Sequence, residues 1–191
     1  MGTLIPLDIE LSSIRSFLKT VLDAADLEYS RIKEKSEAGE FEHCEDEGNA
    51  LYKPMMWEEI AFRATLGELN ALVECELHNL ANKAFFENIK SLKARQVKTV
   101  SELKINEVIK LIEKYYQIKV NETESYLAVM GIRKKVNSFK HRKGFKNPWK
   151  DGGAVIGEKF RVDRKETFQS IDRVRNFLRD LWSKTMDKQR A

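Results

Sequence analysis

Residues Ser125 to Lys150 have the sequence SYLAVMGIRKKVNSFKHRKGFKNPWK, and the rest of the chain is organised around this stretch. Apolar residues recur in its first part at steps of three, four and three, a spacing that places side chains on one face of an α-helix. The stretch also contains eight Lys or Arg residues and no Asp or Glu. It therefore predicts a helix with a basic face beside a core-facing stripe. The stripe consists of Val129, Ile132, Val136 and Phe139.

The same helical periodicity extends through most of the 191 residues. Only three Pro and nine Gly interrupt it, whereas a β-sandwich or barrel would show turn residues about every 8 to 12 positions. We expect one helical domain over residues 1–191, an all-α antiparallel bundle of about five helices. Two connections are predicted as loops: an acidic one over about 37–53, and a Gly-containing one over about 143–162.

Local residues predict where several helices begin and end. Pro54 is expected in the first turn of the second helix, where its missing N–H costs little. Asn106 is expected to cap the start of the third helix and Asp163 that of the last. The fourth helix is expected to run from about Tyr126 to Arg142, because Gly144 is a natural C-terminal stop.

Composition excludes several classes of protein. The net charge of +4 identifies no partner by itself, but it is segregated, since Glu37 to Glu47 holds six acids and no Lys or Arg. Two cysteines cannot form a disulfide-rich scaffold, and no secretory signal pattern is present, so we expect a cytoplasmic protein. No window approaches 18 uncharged apolar residues, so no membrane partner is expected.

Three polar residues of the basic stretch form a candidate catalytic triad. Arg133, Asn137 and His141 follow at steps of four, so on a helix they share one side. RNA cleavage requires removal of a proton from the ribose 2′-OH, stabilisation of the phosphorane and protonation of the leaving 5′ oxygen. Histidine can act as base or acid near neutral pH, Arg can hold phosphate oxygens, and Asn can orient either group. No metal or other cofactor is expected.

The basic residues around the triad are candidate RNA-binding residues. Cations interleaved with aromatic rings can hold phosphates while unpaired bases stack on the rings. A helix with basic residues on its wet side is, however, also common in proteins where those residues are only solvated. The candidate RNA-binding residues are Lys134, Lys140, Arg142, Lys143, Lys146, Trp149 and Lys150.

The segment RKKVNSFKHRKG, late in the fourth predicted helix of an all-helical chain, resembles the active helix of HEPN domains. Members of that family are small helical bundles, often dimeric, and many are metal-independent ribonucleases of toxin-antitoxin, abortive-infection and other phage-defence systems. The resemblance implies catalytic roles for Arg133 and His141, with Asn137 as the polar member of the motif. It also implies a homodimer that pairs two copies of this helix, and an antitoxin or other protein as a further partner.

This chain departs from the family's usual motif in one respect. Seven residues separate Arg133 from His141, which is a longer interval than usual, and Val136 occupies the place where an Arg directly before Asn137 would stand. The departure bears on catalytic competence more than on fold.

Two other groups of residues are candidate metal sites. His43, Cys44, Cys75 and His78 supply the ligand types of a zinc site, but adjacent ligands rarely point at one ion, and a Cys amid apolar helix residues is ordinarily packed. The acid pairs of the second helix suggest a magnesium-dependent pyrophosphohydrolase, but they lack the step of three or four that such a site needs. These pairs are Glu58 with Glu59 and Glu74 with Glu76.

Three functions therefore remain open from the sequence. The first is a HEPN-like endoribonuclease that leaves a 2′,3′-cyclic phosphate. The second is a non-catalytic HEPN-like module that binds RNA or a protein partner. The third is a helical interaction module whose basic stretch is only solvated.

Overall fold

The structure, a computed structural model, describes residues 4–88, 100–147 and 157–190. Five α-helices and two short 3-10 turns, Val100–Glu102 and Val120–Glu122, account for most of these residues. The described residues contain no β-strand, only an isolated bridge between Phe145 and Lys159. The prediction of an all-α protein with about five helices is confirmed. The helices are α1 Leu4–Glu37, α2 Cys44–Asn88, α3 Ile105–Tyr116, α4 Tyr126–Arg142 and α5 Arg164–Arg190.

The chain divides into two compact units, each of which is helical. The first comprises Met1–Glu68 and Lys135–Gln169, and the second comprises Leu69–Lys134 and Ser170–Ala191. Helix α1 belongs to the first unit and α3 to the second, whereas α2, α4 and α5 each contribute residues to both.

In the first unit, α1 supplies the largest share of the core. Leu11, Leu18 and Ala25 of α1 are fully buried, and their spacing is that of one helical face. Arg164, at the start of α5, hydrogen-bonds to Asp26 on α1 and to Glu58 on α2. These hydrogen bonds, which we call the Arg164 fork, connect α5 to both α1 and α2. They also lower the pKa of Asp26 and raise the pKa of Arg164, because each charge stabilises the other.

Helix α2 begins inside the stretch predicted as an acidic loop. The expected loop over about 37–53 is shorter in the structure, because the helix begins at Cys44. Glu45, Asp46 and Glu47 occupy its first turn, where negative charge is stabilised by the positive end of the helix dipole. Pro54 therefore lies within the helix, where it is buried, and not in its first turn as predicted.

In the second unit, α4 and α5 run antiparallel. Tyr126 of α4 lies beside Phe177 of α5, with 6.4 Å between ring centroids. The backbone N–H of Glu124, just before α4, donates to Asp180 at 2.8 Å. In the core of this unit, side chains of α2, α3 and α5 are exposed by 1% or less, and Val129 of α4 is exposed by 2%. Those of α2, α3 and α5 include Leu69, Leu77, Leu80, Ile112, Phe177, Leu178 and Leu181.

The third helix begins earlier than predicted. Its N-cap is Lys104, not Asn106, and the backbone N–H of Lys104 donates to the Glu107 carboxylate at 2.8 Å. A side chain three positions into the helix thus satisfies a backbone donor at the helix start, which replaces the capping that we expected from Asn106.

The end of α4 is built on Gly144, as predicted. Lys143 and Gly144 have φ angles of 50° and 86°, and the N–H of Gly144 donates to Ser138 O at 3.1 Å. This bond joins residues six apart and satisfies a backbone carbonyl near the end of the helix. A Cβ at Gly144 would lie 3.2 Å from two atoms of the Phe139 ring. Glycine is therefore required both for the turn and for this close approach.

The other helix limits that carry earlier expectations agree closely with the structure. The first helix runs from Leu4 to Glu37. Asp163 caps α5, since its Oδ1 accepts the N–H of Glu166 at 2.7 Å. Among the described helices, none combines enough length with enough apolar character to cross a bilayer.

Candidate functional site

The three predicted catalytic residues all lie on α4, but they belong to different units of the chain. Arg133 belongs to the second unit, and Asn137 and His141 belong to the first. Since an α-helix rises about 1.5 Å per residue, the Cα atoms of Arg133 and His141 lie about 12 Å apart along the helix axis. His141 is exposed, whereas Arg133 and Asn137 are half-buried. Asn137 and His141 lie one helical turn apart within the first unit.

Arg133 is instead engaged with α2. Its guanidinium forms an ion pair with the carboxylate of Glu74, and the same carboxylate oxygen accepts a hydrogen bond from Asn70 at 3.1 Å. Burial lowers the pKa of Arg133 from its ordinary value, which is so high that the group stays charged. The positive charge of Arg133 is thus compensated within the second unit.

A polar cavity of about 480 Å³ adjoins this ion pair. Besides Arg133 and Glu74, its lining includes His78, Lys104 and Asn106. The Nδ1–H of His78 donates to the backbone oxygen of Glu74 at 2.7 Å, which fixes the orientation of the ring. Sequence reasoning assigned none of these residues to Arg133, because a contact between positions 74 and 133 has no local signal.

The predicted RNA-binding residues are distributed over the end of α4 and the turn after it. Lys140 and Lys143 are exposed. Arg142 donates from Nε to Phe145 O at 3.1 Å, and Lys146 forms an ion pair with Glu158. Of the three remaining residues, Lys134 is exposed in the second unit, whereas Trp149 and Lys150 lie outside the described residues.

Of these predicted residues, Lys146 joins other cations in a cavity of the first unit, about 660 Å³ in volume. We call this the basic cavity. The bridge between Phe145 and Lys159 builds it, with Lys146 N–H donating to Glu158 O at 2.7 Å and Phe160 N–H to Gly144 O at 2.9 Å. It is lined by Lys135, Lys146, Lys159, Arg161, Phe160, Glu158 and Gly157.

Two lining cations of the basic cavity are balanced by acids and two are not. Lys135 pairs with Glu166, and Lys146 pairs with Glu158. Neither Lys159 nor Arg161 forms an ion pair with another residue in the part of the chain that the structure describes. Lys159 instead lies 4.9 Å from the centre of the Phe145 ring. The cavity therefore keeps uncompensated positive charge next to aromatic rings.

Sequence reasoning missed Lys135, Lys159 and Arg161. Lys135 lies on the predicted fourth helix but was not named as a candidate. Lys159 and Arg161 lie near the end of the predicted loop, and the bridge between Phe145 and Lys159 brings them to the end of α4. The Phe145-Lys146 and Lys159-Phe160 dipeptides, basic and aromatic on both sides of the loop, are the one signal that pointed to this arrangement.

An aromatic cavity of about 390 Å³ lies beside the basic cavity in the same unit. Phe160 and Arg161 line both cavities, so the two are adjacent. Phe62 is buried at its wall, while Phe139 and Phe160 are half-buried and present ring surface. The remaining lining residues are Glu59, Arg63, Val162 and Asp163.

No group of three or more His, Cys, Asp or Glu side chains in the described residues is arranged to hold a metal ion. Acids of the proposed magnesium pairs have other partners. Glu58 accepts from Arg164, Glu74 pairs with Arg133, and Glu76 accepts the Trp182 indole N–H at 3.1 Å.

Comparison of the chain with models of known protein families, with curated proteins and with solved structures finds no match.

Proposed function

We propose that this protein binds RNA through the basic cavity of its first unit. The observation that carries the proposal is the combination of two cations with two aromatic rings. Lys159 and Arg161 have no acidic partner among the described residues, and the rings of Phe145 and Phe160 lie beside them. Phosphate groups are held by Lys and Arg, and unpaired bases stack on aromatic faces, so RNA satisfies both features at once.

The charge of the segment that leads into the basic cavity supports a polyanionic ligand. Helix α4 contains no Asp or Glu at all. Its last turn carries Lys140, His141 and Arg142, and Lys143 follows directly. Cations at a helix C-terminus also interact favourably with the helix dipole, which is a purely structural reason for their presence. The dipole does not explain Lys159 and Arg161, which lie outside any helix.

Salt dependence of binding tests this proposal. Cations that neutralise phosphates release counterions, so the logarithm of the association constant falls linearly with the logarithm of salt concentration, by about 0.7 for each contact with a single strand. We expect fluorescence anisotropy with labelled RNA to show a slope of several units. Binding that is absent at low salt, or that is insensitive to salt, would refute the proposal.

A HEPN-like endoribonuclease is the second candidate. The observation that favours it is the exposed His141 on a helix without acids, one turn after Asn137. In this mechanism His141 removes the ribose 2′ proton or protonates the leaving 5′ oxygen, and the product is a 2′,3′-cyclic phosphate. Because Arg133 is held by Glu74, we rank cleavage below binding.

A homodimer and a role in a defence or toxin-antitoxin system belong to this second candidate alone. A dimer that pairs two copies of α4 would bring two His141 side chains into one cleft. Incubation of RNA with the protein in EDTA, compared with Arg133→Ala and His141→Ala, tests cleavage. Activity that is lost in both variants supports it, and equal cleavage by all three proteins, or none by any, rejects it.

A further inference from the structure

We propose that the aromatic cavity receives an unpaired base of the bound RNA, so that the protein selects single strands over duplexes. This inference rests on the proposed function, because the same RNA would place its phosphates in the basic cavity. The two cavities share Phe160 and Arg161, so a base and a phosphate of one RNA would lie on neighbouring surfaces of the same unit.

The aromatic cavity suits a flat apolar group. Phe62, Phe139 and Phe160 contribute three rings, and the volume of about 390 Å³ lies in the range of small-ligand pockets. Every nucleobase has a π face that can stack on such rings without regard to sequence. Glu59 and Asp163 at the cavity supply carboxylates, which accept hydrogen bonds from base N–H groups.

Two of the three rings are held in place before any ligand binds. Phe139 is confined by the turn at Gly144, where a Cβ would come within 3.2 Å of the ring. The Phe160 backbone N–H donates to Gly144 O at 2.9 Å, and Lys146 Nζ lies 5.7 Å from the Phe160 ring centre. Groups that are already ordered lose less conformational entropy when a ligand binds, which favours their use as a stacking surface.

The neighbouring charge decides between a nucleotide and other aromatic ligands. An aromatic side chain of a peptide would fill the aromatic cavity but would give the basic cavity no anion. A base attached to a phosphate chain satisfies the rings and the cations Lys159 and Arg161 together. In a duplex the bases are stacked and paired, so they cannot enter without unpairing.

The experiment compares three anionic ligands of equal length: single-stranded RNA, the same RNA as a duplex, and a stable abasic ribose-phosphate chain. We expect the wild-type protein to bind the single strand about tenfold or more tightly than either of the others, because stacking one base contributes a factor of about 5 to 150. Phe160→Leu should remove most of that advantage.

Phe17→Leu is the matched control, since Phe17 is 49% exposed on α1 of the same unit and lines neither cavity. Equal wild-type affinity for the single strand and the abasic chain would overturn base insertion while leaving phosphate binding intact. That comparison needs no variant, so a folding defect cannot obscure it. Failure of all three ligands to bind would instead overturn the proposed function itself.

Discussion

The guanidinium of Arg133 on α4 pairs with the carboxylate of Glu74 on α2, within the second unit of the chain. This relationship changes the role expected of Arg133. A residue that the sequence suggested as a phosphate ligand has a carboxylate partner, whereas Lys159 and Arg161 of the basic cavity have none among the described residues. We therefore expect stability to depend on Arg133, and RNA affinity to depend on the basic cavity.

Replacement of Arg133 by Met is predicted to lower stability without lowering RNA affinity. The side chains of Arg133 and Glu74 are 27% and 37% exposed, so we expect loss of their ion pair to cost about 1 kcal/mol of unfolding free energy. Urea unfolding and anisotropy of the same samples measure both quantities. Glu74→Gln is the partner control. A drop in RNA affinity with Arg133→Met alone would return Arg133 to the RNA site.

Replacement of Gly144 by Ala is predicted to destabilise the protein by about 1 to 3 kcal/mol. The substitution combines two costs: a φ of 86°, and a Cβ that lies 3.2 Å from the Phe139 ring. Gly39→Ala separates them, because Gly39 has a φ of 70° but nothing within 4 Å of the added Cβ. Urea unfolding should show the larger loss at Gly144. Equal losses would mean that the Phe139 contact contributes nothing.

The fork at Arg164 predicts a specific pH dependence. Its hydrogen bonds lower the pKa of Asp26 below the ordinary value of 3.8. Because the pKa of Asp26 is then lower in the folded protein than in the unfolded chain, the stabilisation is present at neutral pH. It is lost as the pH falls through the folded pKa.

As the pH is lowered from about 5 to about 2, the thermal unfolding temperature should therefore fall more steeply for the wild type than for Arg164→Met. Arg63→Met is the control, since Arg63 pairs at 3.6 Å with Glu59 one helical turn away on an exposed surface. Parallel curves for the wild type and Arg164→Met would contradict the role of the fork.

Replacement of Thr65 by Val is predicted to leave stability unchanged or to raise it by about 1 kcal/mol. The Thr65 hydroxyl is buried, and it has no hydrogen-bond partner among the described residues. Burial of an unpaired hydroxyl is unfavourable, and Val has nearly the same shape. Thr167→Val is the control, because the Thr167 hydroxyl donates to Asp163 O at 2.7 Å. A larger loss of stability at Thr65 than at Thr167 would show that Thr65 has a partner after all.

Local patterns predicted the elements of this fold better than its contacts. The limits of α4 follow from its apolar stripe and from Gly144, whose φ of 86° ends the helix. The predicted start of α2 was wrong because the acidic residues from Glu45 to Glu47 contain no apolar side chains at helical spacing. These acids nevertheless stabilise the positive end of the helix. Charge at a helix start is thus easily read as a loop.

The candidate site depends on pairings that have no local signal. Lys159 reaches the end of α4 through its bridge to Phe145, a residue 14 positions earlier in the chain. Likewise, the engagement of Arg133 by Glu74 joins positions 59 residues apart. Helical spacing correctly placed Arg133, Asn137 and His141 on one helix, but spacing cannot reveal which of them has a partner on another helix.

The salt dependence of RNA binding by a basic-cavity variant tests the central claim most directly. Lys159→Gln combined with Arg161→Gln removes the two lining cations that lack an acidic partner among the described residues, and Lys110→Gln with Lys114→Gln removes two exposed lysines of α3. We predict that the cavity variant binds more weakly and that its salt slope is smaller by about 1.4, while the α3 variant matches the wild type. Identical slopes for all three proteins would contradict the account.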